Sequence, residues 1–156
     1  MNKHSLPLRG KGFTLVELLI VMTLISSLAA LVLVNFRSAQ MRGRDAVRKS
    51  DLRNIQTALR LYYNDIGGYP LGSGTITGCG GATPGACTWG TAWIRNNTTY
   101  MNILPADPLS TQTYIYTGVA GNEDYTLRAC LESKSDSKGV QDLTACPNGL
   151  KYEVRP

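Results

Sequence analysis

Few side chains in this sequence of 156 residues are of a kind and spacing that could do chemistry. Glu17 is the single charge in the apolar run FTLVELLIVMTLISSLAALVLV, residues 13–34. A carboxylate there is costly and is ordinarily paired or functional, unless it lies shallow enough to reach polar headgroups. Cys79 and Cys87 are separated by seven residues and Cys130 and Cys146 by fifteen, without the CxxC pairs of a zinc site. Disulfides are expected instead, and with them an oxidising compartment. Four cysteines permit three pairings. Pairing Cys79 with Cys87 and Cys130 with Cys146 closes two polar loops at the least closure cost and is the arrangement expected. Glu132, Asp136 and Asp142 supply oxygen ligands of the kind calcium accepts from an irregular loop. Lys134 and Lys138 in the same loop oppose a cation, and a solvated, disulfide-bounded loop accounts for the composition with no cofactor. His4 is the only histidine and precedes the apolar run, so a chain that loses this leader has none. Ser-His-Asp and Cys-His catalysis are then excluded. No GxxxxGK[ST] or GxGxxG stretch is present either, and an enzyme is not expected.

The elements that must position these groups read clearly in the first half of the chain. Residues 13–34 rise about 33 Å as a helix, enough to cross a bilayer. The run exceeds the apolar core of a secretory signal and continues straight into helical sequence, so it is expected to be retained. Between Phe13 and Ile66 there is no proline and one glycine, Gly43, which permits one continuous helix. Its second half, 35–66, is amphipathic, with Leu52, Ile55, Leu59, Tyr62 and Ile66 on one stripe. Gly67, Gly68, Tyr69 and Pro70 end it. Residues 67–90 hold nine glycines and read as a surface excursion. Tyr114–Thr117, Tyr125–Leu131 and Lys151–Val154 alternate in the manner of short antiparallel strands, the first two joined as a hairpin by a turn over 118–122. The expectation is an α+β chain: leader 1–12, membrane segment 13–34, amphipathic helix 35–66, and a head of stapled loops and antiparallel sheet over 67–156 that covers the stripe.

Lys11, Gly12, Phe13, Thr14, Leu15, Val16, Glu17 and the apolar residues after them resemble the processing site of class III signal peptides, as in type IV pilins and type II secretion pseudopilins. The helix end at Tyr69-Pro70 and the run Leu104, Pro105, Ala106, Asp107, Pro108 are similar to segments of the major pseudopilins. The resemblance implies a pilin-like fold, a prepilin peptidase that cuts between Gly12 and Phe13 and methylates the Phe13 amine, and an inner-membrane assembly platform. It also implies that Glu17 pairs with the Phe13 ammonium of a neighbouring subunit. Such a chain sits in the inner membrane by a single pass, head outside, and then enters an extracellular or periplasmic filament of identical or related subunits. Two positions depart from the family pattern: Val34 stands where a helix-bending proline is usual, and Ser26 where glycine is frequent.

Charge is distributed to suit such a subunit. Beyond the leader cations Lys3, Arg9 and Lys11 the chain has thirteen Lys/Arg against eleven Asp/Glu, so most of its net +5 is local. Residues 37–60 hold seven Lys/Arg against Asp45 and Asp51. More cations follow the span than precede it, against the positive-inside tendency, so orientation rests on the cysteines and the processing motif. Arg42, Arg44, Arg48, Lys49 and Arg53 could bind phosphates of nucleic acid. The reading preferred is that they meet acids of neighbouring subunits or lipid headgroups. Asn96 and Asn97 each begin an N-x-[ST] sequon. The function expected is that of a filament subunit; the rivals are a signal-anchored extracellular binding domain and a minor pilin that takes up DNA. Gly12→Leu is expected to block leader removal, because the peptidase must accept the chain at a residue with no side chain. Mass spectrometry of the membrane fraction should find residues 1–12 retained, and a mature N-terminal Phe13 in that variant would reject the assignment.

Overall fold

The computed structural model describes residues 12–156. The backbone divides after Ser38 into two units. Among the described residues one helix, α1 (Leu15–Ile66), supplies the regular structure of the first unit and continues into the second, which holds the strands. Thr14 caps α1: its Oγ1 accepts the Glu17 N–H at 3.2 Å, and its carbonyl accepts the Leu18 N–H at 3.2 Å. Gly67 ends the helix with φ +82°, a left-handed conformation that suits glycine, and its N–H donates to the Tyr63 carbonyl at 2.7 Å.

In the second unit the α1 stripe is buried as expected at Leu52, Ile55, Leu59 and Tyr62. Ile66 departs from the expectation and is 44% exposed, because the helix ends there with no element over that side of its last turn. The strands are β1 (Ser73–Gly74), β2 (Thr77–Cys79), β3 (Gly85–Ala86), β4 (Trp93–Arg95), β5 (Thr98–Met101), β6 (Ile115–Gly118), β7 (Tyr125–Cys130), β8 (Val140–Gln141) and β9 (Leu150–Val154). Five of them form one antiparallel sheet in the order β1-β6-β7-β9-β8. The β6–β7 hairpin places Ile115 opposite Arg128 and Gly118 opposite Tyr125. Central strand β7 alternates strictly, burying Tyr125, Leu127 and Ala129. These side chains meet the α1 stripe in one hydrophobic core with Tyr114, Tyr116 and Leu104.

The glycine-rich segment is not the surface excursion that its composition suggests. Ile76 is fully buried and Cys87 nearly so, and β1 forms an edge of the main sheet. Glycine is needed at 78 for close approach, since a Cβ there would lie 3.2 Å from the Tyr62 ring. The Gly78 carbonyl accepts the Trp93 Nε1–H at 3.1 Å, which seats that fully buried indole beside Tyr62 and Tyr100. Trp93 arrives on the β4–β5 hairpin, whose two turn residues Asn96 and Asn97 both have positive φ, +46° and +64°. Asparagine tolerates that conformation, so the turn by itself explains both residues.

The polar end of the helix stripe carries a buried guanidinium. Asp45 and Arg48 extend the stripe by one turn at the same three-and-four spacing, and both are buried. Arg48 donates Nε and Nη2 to the two oxygens of Asp107, each at 2.8 Å. Its Nη1 reaches Asp45 at 2.8 Å and Glu132 at 2.7 Å. Glu132 also takes a two-pronged bond from Arg44, at 2.8 and 2.6 Å. Asp45 accepts the backbone N–H groups of Glu132 and Ser133 as well. Three segments far apart in sequence are thereby tied to one another: α1, the Pro105–Pro108 turn and the loop after β7. The expectation that this basic stripe reaches neighbouring molecules is therefore corrected for three of its five cations. Arg44 and Arg48 pair with carboxylates of their own chain, and Lys49 pairs with Asp136.

Electrostatics follow from this geometry. Burial opposes the Arg48 charge, but hydrogen bonds to Asp107, Glu132 and Asp45 outweigh it and hold its pKa above the ordinary value. The Arg44 hydrogen bond, helped by Arg48 against partial burial, holds Glu132 down to about 2. A carboxylate so depressed stabilises the fold above its unfolded pKa, near 4.5, and that contribution is lost as pH falls from there towards 2. Burial raises the pKa of Asp51, which works in the opposite sense. Glu132→Gln should lower stability near neutral pH by about 2–3 kcal/mol and flatten its fall on acidification, measured by denaturant unfolding of the full chain in detergent. The same assay on Ile76→Ala should show a loss of about 2–5 kcal/mol if the glycine-rich segment belongs to the core.

Candidate functional site

The groups singled out in the sequence fall at two places. Gly12, Phe13 and Glu17 lie in the first unit, the cysteines and loop carboxylates in the second. The leader positions Lys3, His4, Arg9 and Lys11 lie outside the described residues.

Phe13 is 82% exposed, and Leu15, Leu18, Leu24, Leu28 and Val32 are each more than half exposed. The most apolar window of α1 has a mean hydropathy of 2.5 and none of it is buried. Such a surface needs lipid or other apolar helices around it. The hydroxyls in the run do not interfere, because each returns to its own helix. Thr23 donates to the Ile20 carbonyl, Ser26 to Met22 and Ser27 to Leu24, all at 2.8 Å. Ser26 lies within the continuous helix α1.

Glu17 stands at the third helical position, in the first turn, where the free N–H groups and the macrodipole favour a carboxylate. Thr14-x-x-Glu17 has the form of a capping box, a local role that the sequence reading overlooked although the spacing displays it. An amine on Phe13 would lie at the positive end of the same dipole and would be disfavoured without an anion nearby. At Gly12 an added Cβ would meet nothing within 4 Å, and the residue has no positive φ. The fold of this chain places no demand for glycine there.

In the second unit the disulfides join Cys79 to Cys87 and Cys130 to Cys146. The three carboxylates considered for calcium go to different cations. Glu132 serves Arg44 and Arg48, Asp136 pairs with Lys49, and Asp142 lies 3.4 Å from Lys151 and 3.5 Å from Arg128. The Lys49 hydrogen bond lowers the Asp136 pKa, and the Ala145 N–H lowers that of Asp142. Among the described residues no group of three or more His, Cys, Asp or Glu side chains could hold a metal ion. Each of the three carboxylates considered is thus spent on a separate set of cations. Asp107, by contrast, was singled out only within its proline-flanked run. Its role as the two-pronged partner of Arg48 depends on contacts across 59 positions.

Comparison with known proteins agrees with this division. Residues 8–33 match the family model of the prokaryotic N-terminal methylation motif. The chain is 37% identical over 57 residues to the type IV major pilin protein PilA of Myxococcus xanthus, a match covering 36% of this chain and 26% of that protein. It is 34% identical over 71 residues to the type IV wide pilus major component PilA4 of Thermus thermophilus, covering 46% of this chain and 54% of the relative. No solved structure matches the chain. The similarity to the type II secretion system core protein G of Pseudomonas aeruginosa extends into the head, at 31% identity over 123 residues, 76% of this chain and 82% of that protein. With the methylation motif, the apolar helix and the antiparallel head all present, this chain belongs to the type IV pilin and type II secretion pseudopilin superfamily.

Proposed function

We propose that this chain is the structural subunit of a type IV pilus-like filament or secretion pseudopilus, cut between Gly12 and Phe13 by prepilin peptidase and methylated on the new amine. Before assembly, residues 13–34 hold it in the inner membrane with the head outside. Afterwards the apolar helices leave lipid and pack on one another in the filament core. The single observation that carries this reading is the apolar first part of α1, exposed at every large apolar side chain described, with one carboxylate in its first turn. A signal anchor needs only the apolar run and has no use for Glu17. The absence of any local demand for glycine at 12 supports recognition of that residue by another protein. Uptake of DNA through the basic stripe loses support, since Arg44, Arg48 and Lys49 are paired within the chain. Of the relatives above, the secretion protein is matched over the largest share of both chains, so the secretion pseudopilus is the filament we favour.

In this mechanism the Glu17 carboxylate offsets a neighbour's Phe13 ammonium in a medium of low dielectric. Pairing sets the axial register even where its net stabilisation is small. Glu17→Ala makes the run more apolar, so insertion and folding should be retained. Filament yield should collapse, because an ammonium left unpaired among packed helices costs several kcal/mol. Glu17→Gln separates charge pairing from helix capping, since the amide can cap but cannot neutralise. Sheared filaments and membrane-extracted monomer should be quantified from the same cells for both variants. Normal filament yield from the Ala variant would remove Glu17 from assembly; normal yield from Gln alone would assign it to capping.

A further inference from the structure

The second unit contains a cleft of about 410 Å3 between α1 and the loop of residues 133–138. Three cations line it, Arg42, Lys49 and Lys138, together with the hydroxyls of Ser133, Ser135 and Ser137. One carboxylate, Asp136, shares the cleft and is already engaged. Lys49 pairs with its Oδ2, and the Lys138 backbone N–H donates to its Oδ1 at 2.9 Å. Among the described residues neither the Arg42 guanidinium nor the Lys138 ammonium forms an ion pair with a carboxylate, although the Lys138 charge acts at longer range on Asp136. Ser133 and Ser135 share one hydrogen bond of 3.3 Å, which leaves a hydroxyl proton to donate elsewhere. Two unspent cations beside several hydroxyls form a receptor for an anion with more than one oxygen. A metal cation would be repelled, and an apolar ligand would find little to touch.

We propose that this cleft holds the phosphate of an anionic phospholipid headgroup while the subunit resides in the membrane. The proposal rests on the reading that residues 13–34 sit in a bilayer. Only seven residues lie between the end of that run and Arg42, a helical rise of about 12 Å. Headgroup phosphates are therefore always within reach and at high local concentration. Arg42 and Lys138 would contact the phosphate oxygens, and the serines would serve the remaining oxygens or the hydroxyls of a glycerol headgroup. A nucleic acid would need cations following a strand of phosphates. Here Arg44 and Arg48, which flank the cleft cations in sequence, are committed to Glu132 and Asp107 and cannot extend the pocket into such a row. Release of the headgroup would accompany extraction of the subunit into a filament.

The test is hydrogen exchange of the full processed chain in vesicles of phosphatidylcholine alone or mixed with phosphatidylglycerol. Flotation of the vesicles establishes insertion separately, so failure of the anchoring reading is seen as such. Amides of residues 133–138 should exchange roughly threefold or more slowly in the phosphatidylglycerol vesicles. Arg42→Gln combined with Lys138→Gln should abolish that difference, while Arg60→Gln, an exposed cation outside the cleft, should keep it. Because these side chains are exposed, both variants should fold. Equal exchange in the two lipids would overturn the proposal, as would equal loss in the Arg60 variant, which would mark a diffuse effect of charge. Inorganic phosphate or duplex DNA added to phosphatidylcholine vesicles should give no protection at matched concentration. Protection by either of them, with none from phosphatidylglycerol, would assign the cleft to a soluble anion or to nucleic acid and also overturn it.

Discussion

A guanidinium with no solvent exposure has to find its counter-charge inside the protein, and Arg48 finds three carboxylates on three separate segments. Removing such a cation from water costs several kcal/mol, which is recovered only when nearly every donor is matched in good geometry. Matching here requires Asp107 to be delivered by its proline-flanked turn and Glu132 by the loop after β7. Neither segment has much apolar surface to hold it: Leu104 and Leu131 are their buried anchors. The ion network thus does for the base of the head what Leu52, Ile55 and Leu59 do further along the helix. It continues the helix stripe, with a charge in place of a side chain that hydrophobic contacts could cover.

The aromatic end of the head solves a different problem. Eight tyrosines and two tryptophans serve a chain with only two phenylalanines. Rings with a polar tip can fill a thin core and still satisfy that tip nearby. The Tyr114 hydroxyl donates to Asp51 at 2.7 Å, and the Tyr116 hydroxyl donates to the Pro70 carbonyl at 2.6 Å. Tyr69, Tyr116 and Tyr125 lie ring against ring. Gly78 in β2 has its use in this setting, since its backbone approaches the Tyr62 ring more closely than a side chain there would allow. Two short disulfide loops then restrain the segments with least apolar content.

The first unit carries no packing of this kind. Its described apolar side chains are exposed, and the hydroxyls of Thr23, Ser26 and Ser27 are satisfied locally, so its surroundings must supply the burial. Superfamily membership agrees with that requirement, since the relatives are pilus components and a core protein of a secretion system. A chain built in this way has one part whose stability is intrinsic and another whose stability is conferred by its environment.

Much of this was legible in the order of residues alone, for reasons of periodicity and local chemistry. The extent of α1, its cap at Gly67, the apolar run with Glu17, the β6–β7 hairpin and the third strand all depend on neighbours within a few positions. Nearest-neighbour disulfide pairing is likewise a matter of short closure. What only the tertiary structure decided were pairings between distant segments. A basic stripe has the same local pattern whether its partners lie in lipid, in a neighbour or 84 positions along the chain, as Glu132 does for Arg48. Glycine content signals conformational freedom and cannot reveal that Ile76 enters a core, or that Gly78 must admit the Tyr62 ring. Periodicity reports which face of an element is apolar; the identity of what covers that face is a property of the folded chain.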